Sequence, residues 1–305
     1  MTAPALVVGM GSIGQRHARL LGALGLEVAA VSGQPAIAER CYRSLDQALK
    51  RETPRYVVIA NETAKHHATL SSLAESGFTG TVLVEKPFFD RPSPIPANRF
   101  AGLFVGYNLR FHPLLRELRR LLAEEPAVSA QIYVGQYLPT WRPQRDYRAT
   151  SSASRAAGGG ALRDLSHELD YMMWLFGRCR HVAALGGRFG ALEIDSDDTQ
   201  ALLLSFERCP VATAQLNYLD RDGAREVVIN TASRTIRADL RRSSLHIGES
   251  ERQFPNERDA TYLAQHRCVL GDSRELLCTA EQGVAVTTLV AAIEEANMRH
   301  AWVTP

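Results

Sequence analysis

The chain has 305 residues, 45% hydrophobic and 22% charged, the proportions of a globular protein rather than a disordered one. Its formal net charge of +2 is too small to argue for nucleic acid or an anionic membrane as a partner. The five cysteines are odd in number and form no C-x-x-C pair, which argues against a disulfide framework or a zinc knuckle and for reduced thiols in the cytoplasm.

The N-terminal residues "MTAPALVVGMG" enter an apolar strand at once, with no basic leader and no run long enough to span a bilayer. "ALVVGMGSIGQRHARLLGALG" reads as strand, glycine turn and helix, and "LEVAAVSG" as a second strand. "SLDQALKRETP" is a helix capped by Ser44; "RYVVIAN" is a strand; "AKHHATLSSLAESGF" is a helix stopped at Gly77. "GTVLVEKP" and "AGLFVGYN" are strands four and five, joined by the proline-rich "DRPSPIPANR". Strands alternating with helices imply a parallel sheet. After the helix "HPLLRELRRLLAEE" the pattern changes to consecutive strands, from "VSAQIYVGQYL" to "SSLHIG", joined by short turns such as "DRDG". That is the pattern of a mainly antiparallel sheet. "TAEQGVAVTTLVAAIEEANMRH" closes the chain as a long helix, with Thr279 and Gln282 as a capping box. The expected class is therefore an α/β Rossmann domain over residues 1–107. An α+β domain with an open-faced, mainly antiparallel sheet follows over 108–305, its last helix packing back on the first domain. "SSASRAAGGG" (151–160) reads as a mobile small-residue loop, and "DSDD" (195–198) as a solvated turn.

"GMGSIG" fits G-x-G-x-x-G between a strand and a helix, the context that makes this pattern a dinucleotide site. Gly9 permits the turn, Gly11 admits a pyrophosphate, and Gly14 lets the helix pack on the strand. The helix N-terminus, from Ser12 and Ile13, offers N–H groups to the phosphates. At the end of the second strand an acid would bind the ribose 2′-OH of NAD; the chain has Ser32, Gly33 and Gln34 there. With no carboxylate to repel it, a 2′-phosphate can be met by Ser32 and Arg40, which tilts the choice from NAD towards NADP. "EKP" ends the fourth strand, where ligands bind beyond a parallel sheet, and Lys86 there can hold or protonate a substrate oxygen.

Treating Asp164 to Phe176 as one helix places His167 near roughly 300° and Asp170 near roughly 240° from Asp164, so all three share a polar stripe. Leu165, Leu169, Met172 and Phe176 form the opposite, apolar stripe. A histidine flanked by carboxylates can carry a proton near neutral pH, or can be a solvated surface residue. One histidine with scattered acids is a poor metal set, and no metal is expected. "WRPQRDYR" crowds Trp141, Arg142, Arg145, Asp146, Tyr147 and Arg148 together. That group suits a sugar ring bearing a carboxylate or phosphate, or a loop anchored by its own aromatic and ion pair. Asn108, Arg110 and His112 either line a substrate cleft or fix the domain junction.

The ordered set "GMGSIG", "EKP", "GYNLRFHP" and "GGGALRDLSHELD" resembles the Gfo/Idh/MocA oxidoreductase family. The resemblance is to a branch found with bacterial surface-sugar pathways. It implies an NAD- or NADP-dependent enzyme acting on sugars, sugar nucleotides or polyols, with Lys86, His167 and Asp164 as its catalytic set. It implies that Glu85 lies beside the nicotinamide and that Asn61, Glu62 and His66 lie near the cofactor, although "NE" replaces the family's usual "TP". Asn108, Arg110, Trp141, Arg142, Tyr147 and Asp170 are the expected substrate residues. The family usually sets its aspartate four residues before the histidine, whereas Asp164 precedes His167 by three, so Glu168 and Asp170 remain alternatives as its acidic partner. A homodimer or homotetramer through the open sheet face is implied too. Two other readings keep the fold: a non-catalytic nucleotide sensor, and a cofactor-retaining enzyme with no net redox change.

Overall fold

The computed structural model describes residues 4–33, 40–271 and 273–305. In chain order it holds β1 (Ala5–Val8), α1 (Ser12–Ala23), β2 (Val28–Val31), β3 (Cys41–Tyr42), α2 (Leu45–Arg51), β4 (Tyr56–Ile59), α3 (His66–Glu75), β5 (Thr81–Val84) and β6 (Gly102–Val105). There follow α4 (Pro113–Glu124), β7 (Ser129–Gly135), α5 (Ala161–Asp164), α6 (His167–Phe176), β8 (Cys179–Gly187), β9 (Thr199–Phe206) and β10 (Cys209–Asn217). The rest are β11 (Ala224–Asn230), β12 (Thr235–Asp239), β13 (Ser244–Ile247), β14 (Ser250–Gln253), α7 (Ala260–Leu270), β15 (Cys278–Thr279) and α8 (Ala280–Arg299).

The chain divides into two compact units. The first takes in Met1–Asn108 and also Asp259–Val284, so a single cut at 107/108 does not separate them. Its sheet runs β15-β6-β5-β4-β1-β2-β3, parallel throughout except for β15. All four residues of β1 and of β4 are buried, as expected of central parallel strands covered on both faces. Ser44 caps α2 by accepting from the Gln47 amide, and Thr279 and Gln282 make the reciprocal capping box of α8. The sequence reading assigns no element to α7, for a physical reason: its buried positions are Thr261, Gln265, His266 and Val269, so the inward face is polar and shows no apolar stripe.

The second unit holds an eight-stranded sheet in the order β14-β13-β12-β11-β7-β10-β9-β8. Every pairing is antiparallel except β7 with β10. Burial alternates along β9, where Gln200, Leu202, Leu204 and Phe206 face the core and Ala201 and Leu203 face outward. The outward face leaves Leu185, Leu203 and Val211 exposed.

Two loop expectations are corrected. Ser196, Asp197 and Asp198 of the acidic run are buried. The Asp197 carboxylate accepts from the Leu162 amide at 3.0 Å, capping α5 from outside the helix, and Asp198 accepts from the Phe189 and Gly190 amides. The loop before α5 is packed rather than mobile: a Cβ on Gly159 would lie 2.1 Å from the Ser151 carbonyl oxygen. Glycine serves close approach there, and Ser152 and Ala153 are buried beside it.

Candidate functional site

In the first unit the glycine turn has the geometry a dinucleotide needs. Gly9 adopts φ +95°, and a Cβ on Gly14 would lie 1.8 Å from the Gly9 carbonyl oxygen, so α1 could not approach its turn with any larger residue. A Cβ on Gly11 would meet nothing within 4 Å, which leaves a cradle in front of the helix. No side chain caps α1, so the N–H groups of its first turn, at Ser12, Ile13 and Gly14, can serve an anion in that space. The residues present therefore fit a dinucleotide pyrophosphate.

At the end of β2, Ser32 is buried and its amide donates to the Tyr42 carbonyl at 3.0 Å. Gln34 lies outside the described residues. Arg40 is not available to a 2′-phosphate. It ion-pairs with Glu27 and Glu52, and the hydrogen bonds to those two carboxylates hold its guanidinium above its ordinary range. Arg43 is the basic group at this edge: its Nη1 donates to the Gly33 carbonyl at 2.6 Å.

Beyond β4, Asn61 donates to Thr69 at 2.8 Å, while its Oδ1 is buried and accepts from no described residue. His66 is 1% exposed, with its ring nitrogens against the carbonyls of Pro87, Phe88 and Asn61. Burial draws its pKa below the ordinary value and the three carbonyls offset only part of that. His66 thus clamps the Asn61 turn rather than presenting an imidazole to a ligand. Glu62 is exposed; a hydrogen bond from its own backbone, with Lys65 beside it, holds its carboxyl low against the opposing effect of burial.

Beyond β5, Lys86 is half-buried, and Glu85 is buried with Oε1 2.8 Å from His17 Nε2. Burial alone would raise the Glu85 carboxyl; the hydrogen bond from His17, with the Lys86 charge and amide beside it, outweighs that and holds it low. Asn108, expected at the substrate, is buried and donates to Thr261 Oγ1 at 2.7 Å.

In the second unit the segment Asp164 to Phe176 is two helices, not one. Ser166 and Glu168 amides bond three residues back, to Arg163 and Leu165, and this tightening ends α5 and restarts the chain as α6 at His167. The expected single polar stripe is broken accordingly. Asp164 and His167 are half-exposed, whereas Asp170 is 1% exposed and Glu168 is fully buried. Asp170 forms a forked ion pair with Arg110, closest contact 2.6 Å, and Arg110 itself is 3% exposed. Those two expected substrate residues are sealed against each other. Glu168 pairs with Arg225 at 2.8 Å. Asp164 Oδ2 accepts from the Tyr218 hydroxyl at 2.6 Å. Burial, then the Asp164 charge, push the Tyr218 pKa well up, so the hydroxyl stays a donor. Leu165, Leu169, Met172 and Phe176 are all buried, as the apolar stripe requires. His112 caps α4 by accepting from the Leu114 amide; burial and the Arg225 charge bring its pKa down to about 4, which keeps it an acceptor.

Three expected substrate residues do gather within this unit. Trp141, Arg142 and Tyr147 line one cleft with Leu138, Thr150 and Ser152. The space they enclose is about 10 Å³, room for roughly one water molecule. Trp141 meets the Tyr218 ring edge-on at 5.2 Å, which joins the cleft wall to the partner of Asp164. Arg142 is half-buried and makes no ion pair with a described residue, while Arg148 is spent on Asp146 and Glu193.

Arg43, Tyr218 and the residues around Glu85 were not singled out from sequence. His17 did carry a signal: it falls between Gly14 and Leu21 on the buried side of α1, where a histidine needs a polar partner. Tyr218 and His266 carry none, because their partners lie 54 and 249 residues away along the chain.

Among the described residues no group of three or more His, Cys, Asp or Glu side chains could hold a metal ion, and no helix is long and apolar enough to cross a membrane. A sequence search of curated proteins finds no match. Among solved structures, the chain is similar to GenD2 from gentamicin A biosynthesis in complex with NAD, at 22% identity and TM-score 0.82, over 99% of this chain and 96% of that one. It is similar to the WlbA dehydrogenase from Bordetella pertussis in complex with NADH and UDP-GlcNAcA, at 19% identity and TM-score 0.83, over 100% and 99%. It is also similar to a levoglucosan dehydrogenase in complex with NADH and levoglucosan, at 16% identity and TM-score 0.83, over 99% of each chain. At these identities the likeness speaks for the fold. Two family models match the sequence itself: the NAD-binding Rossmann fold of the oxidoreductase family over residues 4–99, and the GFO/IDH/MocA C-terminal domain over residues 116–237. With both domain models matched in order over more than two thirds of its length, the chain belongs to the Gfo/Idh/MocA family of NAD-binding oxidoreductases.

Proposed function

We propose that this oxidoreductase moves a hydride between NAD(P) and a carbinol or carbonyl carbon of an acidic sugar or sugar nucleotide. The observation that carries the reading is the cradle in front of Gly11, with the uncapped N-terminus of α1 behind it. The acidic sugar nucleotide UDP-GlcNAcA in WlbA supports this substrate class, and levoglucosan in levoglucosan dehydrogenase supports a sugar more broadly.

The nicotinamide, when bound, supplies or accepts the hydride. Lys86 holds and polarises the substrate oxygen. His167 takes the hydroxyl proton during oxidation and returns it during reduction. Asp164 orients His167 and is itself steadied by Tyr218. Arg142 holds the acidic group of the substrate beside Trp141. Replacing Arg142 with Ala is expected to raise KM for a carboxylate-bearing sugar about tenfold or more, the worth of a charged hydrogen bond. Steady-state kinetics on acidic sugars check this, with a neutral analogue as control; an equal effect on both would refute the assignment.

For the cofactor we favour NADP, with Arg43 meeting the 2′-phosphate at the end of β2. Arg43→Ala is then expected to weaken NADP binding about tenfold and leave NAD binding unchanged, measured by calorimetry. Tighter binding of NAD than of NADP by the unaltered protein would overturn this preference.

A further inference from the structure

A buried chain of polar side chains runs through the first unit and takes part in none of the steps above. Tyr56 on β4 lies 2.9 Å from His266 Nδ1 on α7; His266 Nε2 lies 2.9 Å from His17 Nδ1 on α1; His17 Nε2 lies 2.8 Å from Glu85 Oε1 beyond β5. The first three are at most 2% exposed and Glu85 is 7% exposed. Four elements, one of them distant in sequence, thus place their polar groups in a single file that ends on a carboxylate.

Proton accounting links the file from end to end. The ionised carboxylate only accepts, so His17 Nε2 carries the hydrogen it donates. One hydrogen then lies between His17 Nδ1 and His266 Nε2, and one between His266 Nδ1 and the Tyr56 oxygen. Burial holds His266 well below its ordinary pKa, and burial with the Glu85 charge holds Tyr56 well above its own. Both stay uncharged, each with one hydrogen to donate. Donors aligned in series polarise one another, so even the far hydroxyl strengthens the contact at Glu85.

The position of Glu85 gives the file a use. Ligands of such sheets bind beyond the carboxyl ends of the strands, and the adenosine half lies over β2, on one side of the glycine turn. The nicotinamide half then falls on the other side, towards β4 and β5, where Glu85 stands. We propose that Tyr56, His266 and His17 are positioning residues that fix the Glu85 carboxylate so that it favours the oxidised, positively charged nicotinamide over the reduced, neutral one. This rests on the reading that the protein binds a nicotinamide cofactor.

The test is the ratio of dissociation constants for the reduced and oxidised cofactor, measured by titration of the purified protein. Glu85→Gln is expected to lower the preference for the oxidised form most. His266→Gln is expected to lower it about threefold or more, and Tyr56→Phe, which removes only a hydroxyl, by less. Combined with Glu85→Gln, neither should have any further effect, because nothing charged is left to position. If the Tyr56 and His266 variants weaken both forms equally, or act as strongly on Glu85→Gln as on the unaltered protein, the file is only structural and the proposal falls. Should His266→Gln fail to fold, Tyr56→Phe alone decides between these outcomes. If the unaltered protein binds neither form, the cofactor reading fails first and takes this one with it.

Discussion

Replacing His167 or Lys86 with Ala is expected to lower turnover by about two to four orders of magnitude, the usual worth of a positioned acid or base, while the affinity for cofactor stays within about twofold. The separation of the two readouts follows from where these side chains arise. Lys86 follows Glu85 at the carboxyl end of β5, and the phosphate cradle is made by backbone at Gly11 to Gly14, so removing the amine leaves the cradle intact. His167 is the first residue of α6 and is half-exposed, so its loss removes little packing. Asp164→Asn keeps the shape and the bond from Tyr218, and is expected to fall between these variants and the unaltered protein. Single-turnover kinetics with cofactor titration check all three. Unchanged turnover in both alanine variants would refute the assigned roles.

The second large effect is on stability. Removing one partner of the Arg110–Asp170 pair leaves a charge buried at no more than 3% exposure, a loss of about 3–5 kcal/mol in comparable cases. Arg110→Met and Asp170→Leu should each lower the unfolding midpoint by roughly several degrees, as should Asp170→Ala. Removing both charges, as Arg110→Met with Asp170→Leu, should restore much of the loss, because the desolvation of the ions disappears with them. A double-mutant cycle from thermal or urea unfolding measures this, and losses that simply add would show that the pair is not coupled. If instead Asp170 met the substrate, its alanine variant would raise KM with little change in stability.

Much of the first unit was legible because its signals are local. An apolar strand, three glycines at fixed spacing and a capped or stopped helix each announce themselves within a few residues. The long closing helix was marked by Thr279 and Gln282 in the same way. What sequence hid was non-local. The acidic run 195–198 looks solvated until Asp197 is seen to cap α5 and Asp198 to hold a turn. The polar stripe from Asp164 to Asp170 assumed one helix, and two amides bonding three residues back undo that assumption. α7 carries no apolar periodicity because its inward face holds Gln265 and His266 rather than leucines. At the cofactor edge the missing acid after β2 is visible in the sequence, whereas the pairing of Arg40 with Glu27 and Glu52 and the place of Arg43 at Gly33 are set by the fold.

The central claim is hydride transfer between a nicotinamide and an acidic sugar. Its most direct test is to incubate the purified protein with NADP or NAD and a panel of acidic sugars and sugar nucleotides, following the absorbance of the reduced nicotinamide. Substrate-dependent formation of reduced cofactor, lost in the His167→Ala and Lys86→Ala variants, is the predicted result. Reduction that persists unchanged in both variants, or no reduction with any acidic sugar alongside clear reduction with neutral ones, would contradict it.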